Sequence, residues 1–340
     1  MADGGSVALP VPRGEIEHRL PADHIPAIVD PAFGEDWRDL EVPSDSTYDG
    51  GPLLPDESPV VGVDRAGEAR AYPLRILDWH EVVNDALGGP LLVTYCPLCG
   101  SSVTAERRAA GRETVFGVSG RLWRDDLVLY DRATESWWSQ LLATAIRGPL
   151  TGEQLSLLPS SLTSWGEWRA THPATRVLLP PPRSDTLRGR DATFDYFAPK
   201  YGYDDDQLIG YAGDGGDRPA PRRLVVGVTA GGDARAYPFD VVVEAGVVND
   251  AVGGLPVVVT VTPGDALVAY ERQVDGTALA FEPAGDAHLR AGGSRWERAT
   301  GRAVDGPHAG TQLAPATDVP AMFWKGWRDF HPETGVYEGG

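Results

Sequence analysis

Tyr72-Pro73-Leu74-Arg75-Ile76-Leu77-Asp78-Trp79-His80-Glu81-Val82-Val83-Asn84-Asp85, then Gly88-Gly89, then Val93-Thr94-Tyr95-Cys96-Pro97-Leu98-Cys99-Gly100-Ser101, is the stretch from which the rest of the chain is read. It reads as a short helix, a two-glycine turn, a strand, and a tight turn carrying both cysteines. Pro73 suits the first helical turn, where its missing N–H costs nothing, and Gly88-Gly89 supplies the positive φ that ends a helix. Leu91 to Tyr95 has the apolar, β-branched and aromatic character of a buried strand. His80 lies sixteen residues before Cys96. A hairpin-like return would therefore bring the imidazole to the thiols.

Much of this stretch occurs twice. Val61-Gly62-Val63 returns as Val226-Gly227-Val228, Ala71-Tyr72-Pro73 as Ala236-Tyr237-Pro238, and Val82-Val83-Asn84-Asp85-Ala86 as Val247-Val248-Asn249-Asp250-Ala251, all at an offset of 165. Further on, Gly148-Pro149 with Gln154-Leu155 matches Gly306-Pro307 with Gln312-Leu313. Trp165, Trp168 and His172-Pro173 match Trp324, Trp327 and His331-Pro332. Several anchors in one order are the signature of an internal repeat. Each copy reads as strands with one short helix near its start and another near its end. Ser164-x-x-Glu167 is a capping box for the last helix of the first copy.

The expected fold is mainly β with short helices (α+β). Two tandem homologous β-barrel-like modules are expected to form an internal pseudo-dimer. Residues 1–45 read as an extended arm, 46–180 as the first repeat, 181–220 as a linker and 221–340 as the second repeat. The linker holds Phe194, Tyr196, Phe197, Tyr201, Tyr203 and Tyr211, which should pack as ordered coil. Asp204-Asp205-Asp206 within it lacks the oxygen-ligand spacing of a calcium loop and reads as a solvated turn.

Composition bounds the function. The 340 residues carry a formal charge of −19, which argues against nucleic acid or an anionic membrane as partner. No secretory signal and no run long enough to span a bilayer is visible, so a cytoplasmic protein with reduced thiols is expected. Two cysteines exclude a disulfide scaffold and a four-thiolate zinc site within one chain.

The repeat separates framework from chemistry. At the 165 offset, Trp79-His80-Glu81 becomes Glu244-Ala245-Gly246; with Pro97 aligned to Pro263, Cys96 becomes Thr262 and Cys99 falls at Asp265 or in a gap. The second copy keeps the scaffold and lacks the imidazole and both thiols, which points to a function at His80, Cys96 and Cys99. His172 and His331, at equivalent places, are structural by the same logic. A metal bound by His80, Cys96 and Cys99 is the leading reading, because three protein ligands leave the open position of a catalytic site. Soft thiolates with imidazole suit copper first, then zinc or iron. A dithiol/disulfide pair with His80 lowering a thiol pKa, and two buried small hydrophobes beside a satisfied histidine, are the competing readings.

Substrate-facing groups are expected just downstream. Phe116 and Gly148 are 32 positions apart, against 25 for Phe281 and Gly306, so a loop-like insertion around Gly117–Asp126 is expected to line the pocket of the first copy. Arg121 and Arg124 would clamp a carboxylate, Asp125 would bind metal or act as base, and Glu81 would orient the ring or move protons.

At Trp79 to Asp85, Thr94 to Ser101, Phe116 to Gly120, Asp126 to Arg132 and Trp138 to Gln140, the sequence resembles the bacterial and archaeal DUF3179 family over most of its length. The resemblance carries no established reaction. It marks His80, Cys96, Cys99 and the Gly117–Asp131 segment as matching the family pattern. Together these features lead to an expected metal-dependent enzyme, a copper oxidoreductase acting on a small molecule. The alternatives are a metal-binding or metal-transfer protein and a metal-free Cys-x-x-Cys oxidoreductase.

Overall fold

The computed structural model describes residues 8–48, 50–181, 194–197 and 220–340. The described residues divide into two compact units, one made from residues 8–197 and one from residues 220–340. Four short helices sit among many strands, and the β-rich α+β class expected from the sequence is what is found, including a half-barrel sheet.

In the first unit, Pro59–Arg65 and Glu68–Pro73 form an antiparallel hairpin with Val61 opposite Tyr72. Ser161–Ser164 flanks the first strand, Arg176–Leu178 runs parallel to the second, and Phe33–Gly34 closes that edge. Helix α1 (Leu74–His80) follows the hairpin and buries Leu74, Ile76 and Leu77. Helix α2 (Trp165–Thr171) begins at Ser164, whose hydroxyl accepts the Glu167 N–H, the first half of the expected capping box. Trp165 and Trp168, three apart on α2, both enter the core with Val61, Tyr72, Leu77 and Tyr95. Gly62 lies under the Trp168 ring, where any Cβ would collide, so this position requires glycine for close approach.

Helix α1 ends earlier than the glycine pair suggested. Glu81, at φ 58°, is its left-handed cap, and Val82–Ala86 is already a strand. The β-branched Val82-Val83 pair prefers a pleated, buried surface to another helical turn. Gly88 and Gly89 instead turn the hairpin that joins Val82–Ala86 to Pro90–Cys96, at φ 58° and 134°. Ser101–Glu106 completes this three-stranded sheet beside Pro90–Cys96, with Ser101 opposite Cys96.

A third sheet runs in the order Ile16–His18, Phe116–Trp123, Asp126–Asp131, Trp137–Ser139, Thr144–Arg147. The N-terminal arm thus supplies strands to two sheets, and Ile28 bridges to Val83. From the linker, Phe194 packs on Trp79 and Phe197 on Trp37. Tyr201, Tyr203, Tyr211 and Asp204 to Asp206 lie outside the described residues.

The second unit has its own hairpin, Leu224–Ala230 with Asp233–Pro238, flanked by Met322–Phe323 and, in parallel, by Gly335–Val336. Helix α3 (Phe239–Ala245) follows the hairpin and helix α4 (Trp324–Phe330) precedes the last strand. Side-chain networks recur at the repeat positions. Arg70 and the Tyr72 hydroxyl both donate to Asp85; Arg235 and Tyr237 both donate to Asp250. Asn84 exchanges two hydrogen bonds with the Phe116 backbone, as Asn249 does with that of Phe281. His172 and His331 each stack on a tryptophan, Trp168 and Trp327, with ring centroids 3.9 Å apart. Among the described residues no helix is long and apolar enough to cross a membrane.

Candidate metal centre

The strand Pro90–Cys96 runs out of the core into the turn Pro97-Leu98-Cys99-Gly100, and Ser101 starts the return strand. Gly100 takes φ 58°, which lets the chain reverse within the turn. Neither cysteine is in a disulfide and both are buried, at 2% exposure each. The segment expected to be a loop-like insertion is a β-hairpin, Phe116–Trp123 with Asp126–Asp131, and its turn residues Arg124 and Asp125 both sit at positive φ, 54° and 58°. Two successive left-handed residues make the primed turn that matches the twist of paired strands. Phe116 to Val118 and the run Leu127-Val128-Leu129, rich in aromatic, β-branched and apolar residues and buried without a break, explain why this stretch is strand.

That turn meets the thiols. The Asp125 carbonyl accepts from Cys96 Sγ at 3.7 Å and from Cys99 Sγ at 3.4 Å. Donor atoms of Cys96, Cys99 and the next residue, Asp126, all lie within 4.8 Å of one another, and all three residues are buried. The Asp126 carboxylate accepts the Ser139 hydroxyl at 2.6 Å and the Leu141 N–H at 3.3 Å. Burial pushes this carboxyl up to about 7, against hydrogen bonds from Ser139 and from backbone N–H groups that favour the ionised form. Gln140 ties the parts together: its amide donates to Thr94 Oγ1 and the Ser101 carbonyl, and its Oε1 accepts the Ser101 hydroxyl at 3.0 Å.

His80 belongs to a different constellation. It is fully buried at the end of α1, with Nδ1 2.6 Å from the Pro26 carbonyl and Nε2 2.7 Å from the Tyr196 hydroxyl. A carbonyl only accepts, so Nδ1 carries a proton, and the Tyr196 hydroxyl is the partner of Nε2. Its ring also stacks on Tyr196 and meets Phe194 edge-on. The three-donor group therefore contains Asp126 where the sequence expectation had His80. The second copy dispenses with the imidazole because Ala245 stands in its place.

The expected charged residues divide in the same way. The Asp125 carbonyl is brought to the thiols, whereas the Arg124 guanidinium lies 4.8 Å from the Trp123 ring centroid. Arg121 lies over the Trp137 ring at 4.4 Å, and Glu81 caps α1 while its carbonyl accepts the Tyr95 N–H. Asp126 and Gln140 are not among the residues expected from the sequence. The signal that places Asp126 is the apolar run Leu127-Val128-Leu129, which it precedes as the first residue of a strand.

The model of the family described as "Protein of unknown function (DUF3179)" matches residues 22–334, most of the chain. The chain belongs to the DUF3179 family. No curated protein and no solved structure matches it. All the residues of this DUF3179 site, from the Pro26 carbonyl to Gln140, fall inside the matched region.

Proposed function

We propose that this chain is a metal-dependent enzyme acting on a small molecule, with Cys96, Cys99 and Asp126 as metal ligands. The observation that carries the reading is the convergence of two sulfurs and a carboxylate oxygen within 4.8 Å in a buried setting. The donor spacing fits such a group. In a tetrahedral site with sulfur about 2.3 Å and oxygen about 2.1 Å from the ion, sulfur and oxygen donors stand about 3.6 Å apart. The Asp125 carbonyl lies 3.7 and 3.4 Å from the two sulfurs and is a further oxygen donor.

A carboxylate in place of an imidazole makes the donor set harder, which favours zinc over the copper expected from the sequence, with iron after both. Zinc would supply Lewis-acid chemistry; copper would supply the redox chemistry of an oxidoreductase. The chain's own residues would position the reaction. Ser139 and Leu141 hold the Asp126 carboxylate, Gln140 fixes the Cys96–Ser101 end of the ladder, and the turn sets the Asp125 carbonyl beside the thiols. The reading includes a cytoplasmic, thiol-reducing setting, and a tandem duplication of homologous modules in which the second has lost the thiols.

The same convergence favours a second reading, in which Cys96 and Cys99 reduce a disulfide substrate by thiol–disulfide exchange and become a disulfide themselves, the Asp126 carboxylate taking the proton of the attacking thiol and the two thiols released from the substrate receiving both protons. Metal analysis of protein purified without nickel, beside Cys96→Ser, Asp126→Asn and His80→Ala, separates the two. The metal reading expects near-stoichiometric zinc or copper that is lost in the first two variants and kept in the third. Metal-free protein whose thiols cycle between free and disulfide forms would replace it with the dithiol reading.

A further inference from the structure

The second unit has an arginine where the first has Gln140. The Gln140 N–H donates to the Leu127 carbonyl at 3.0 Å, and the Arg298 N–H donates to the Ala287 carbonyl at 2.9 Å. The residues before those acceptors are Asp126 and Asp286. Leu129 opposite Trp138 and Leu289 opposite Trp296 give the same register. Thr94, opposite Val82, receives the Gln140 amide; Thr260, opposite Val247, receives the Arg298 guanidinium. Thr262, before Pro263, stands where Cys96 stands before Pro97.

The second unit therefore keeps the acidic position, lacks the thiols and has gained a cation. Arg298 is buried, and its Nη1 also donates to the Gly246 carbonyl at 2.7 Å and the Val261 carbonyl at 3.3 Å. Its Nε has no hydrogen-bond partner among the described residues. Asp286 is the charge that favours this cation against its burial. A buried guanidinium without full pairing is costly, and a position that served packing alone would not keep one.

We infer that the side chain at this position decides whether the pocket takes a metal ion: neutral Gln140 leaves the thiol–carboxylate group to be balanced by a cation from solution, whereas Arg298 supplies a fixed cation from the chain. This rests on the metal reading above. Gln140 acts as a positioning residue that bonds Thr94 and Ser101 without bringing charge. Arg298 shows that the equivalent framework accommodates a guanidinium.

The test is cobalt(II) titration, read by thiolate-to-cobalt absorption, of wild type, Gln140→Met, Gln140→Lys and Gln140→Arg, with far-ultraviolet circular dichroism as the check of fold. Expected are one cobalt per wild-type chain, affinity within about tenfold of wild type for Q140M, and a loss of at least a hundredfold for Q140K and Q140R. Q140K is decisive if Q140R does not fold. Equal losses in Q140M and Q140K would overturn the inference in favour of hydrogen bonding alone, and undiminished affinity in Q140K or Q140R would overturn it outright. A wild type that binds no cobalt with its thiols reduced would remove the metal reading itself, and this inference with it.

Discussion

The Tyr196 hydroxyl lies 2.7 Å from His80 Nε2, so a residue of the 194–197 segment closes the hydrogen bonding of a fully buried imidazole whose other nitrogen is held by Pro26. His80 thereby latches α1 to two stretches far from it in sequence. Tyr196→Phe removes this hydrogen bond to a buried ring nitrogen and should cost about 1–3 kcal/mol. His80→Ala should cost at least as much while metal content stays at the wild-type level. Urea unfolding with metal analysis on the same samples checks both; loss of metal in His80→Ala with the fold intact would return the imidazole to the donor set.

Two matched ion networks differ in burial, and their mutational costs should differ with it. The Asp85 side chain is 5% exposed between Arg70 and Tyr72, whereas that of Asp250 is 21% exposed between Arg235 and Tyr237. Removing one partner of a buried pair strands the other and costs about 3–5 kcal/mol; a more exposed pair contributes about 1 kcal/mol or less. Asp85→Ala should therefore lower the urea midpoint several times more than Asp250→Ala. Equal shifts would contradict the role of burial.

Glu81 holds φ 58° where the second unit has Gly246 at φ 70°. A non-glycine residue in the left-handed region costs about 1–2 kcal/mol, and glycine gives back about 0.5–1 kcal/mol through its freer unfolded chain. Glu81→Gly should be neutral or stabilising by up to about 1 kcal/mol in thermal unfolding.

Burial pushes the His331 imidazole below its ordinary value near 6.5, because the folded state favours the neutral ring stacked on Trp327. The unfolded chain therefore binds more protons than the folded one between the depressed folded pKa and about 6.5. This contribution to stability is complete above about 6.5 and is lost as pH falls toward the folded pKa. The fall in the urea midpoint between pH 7.5 and 5.5 should be smaller in His331→Gln than in wild type. An unchanged slope would assign the acid sensitivity elsewhere.

The short helices were legible from the recurring motifs: one follows Tyr72-Pro73 and one Tyr237-Pro238, and one begins at Trp165 and one at Trp324. Local pattern was less informative at element ends: the glycine pair looked like a helix stop, yet Glu81 stops the helix and the glycines turn a hairpin. Of the three-donor group, the two thiols were legible in the sequence and the carboxylate was not. An imidazole present in one copy alone fits a structural latch as well as a ligand, and His80 bridges Pro26 and Tyr196. Asp126 is hidden in the sequence because Gly117–Asp126 reads as a loop-like insertion, whereas Asp126 opens the strand Asp126–Asp131.

The depth of the two sulfurs has a last consequence. At 2% exposure each, Cys96 and Cys99 are closed to any reagent in solution while the hairpin turn covers them. Alkylation, oxidation and ion exchange must all wait for the same local opening, which makes the rate of thiol labelling a clock for how often the Arg124–Asp125 turn lifts.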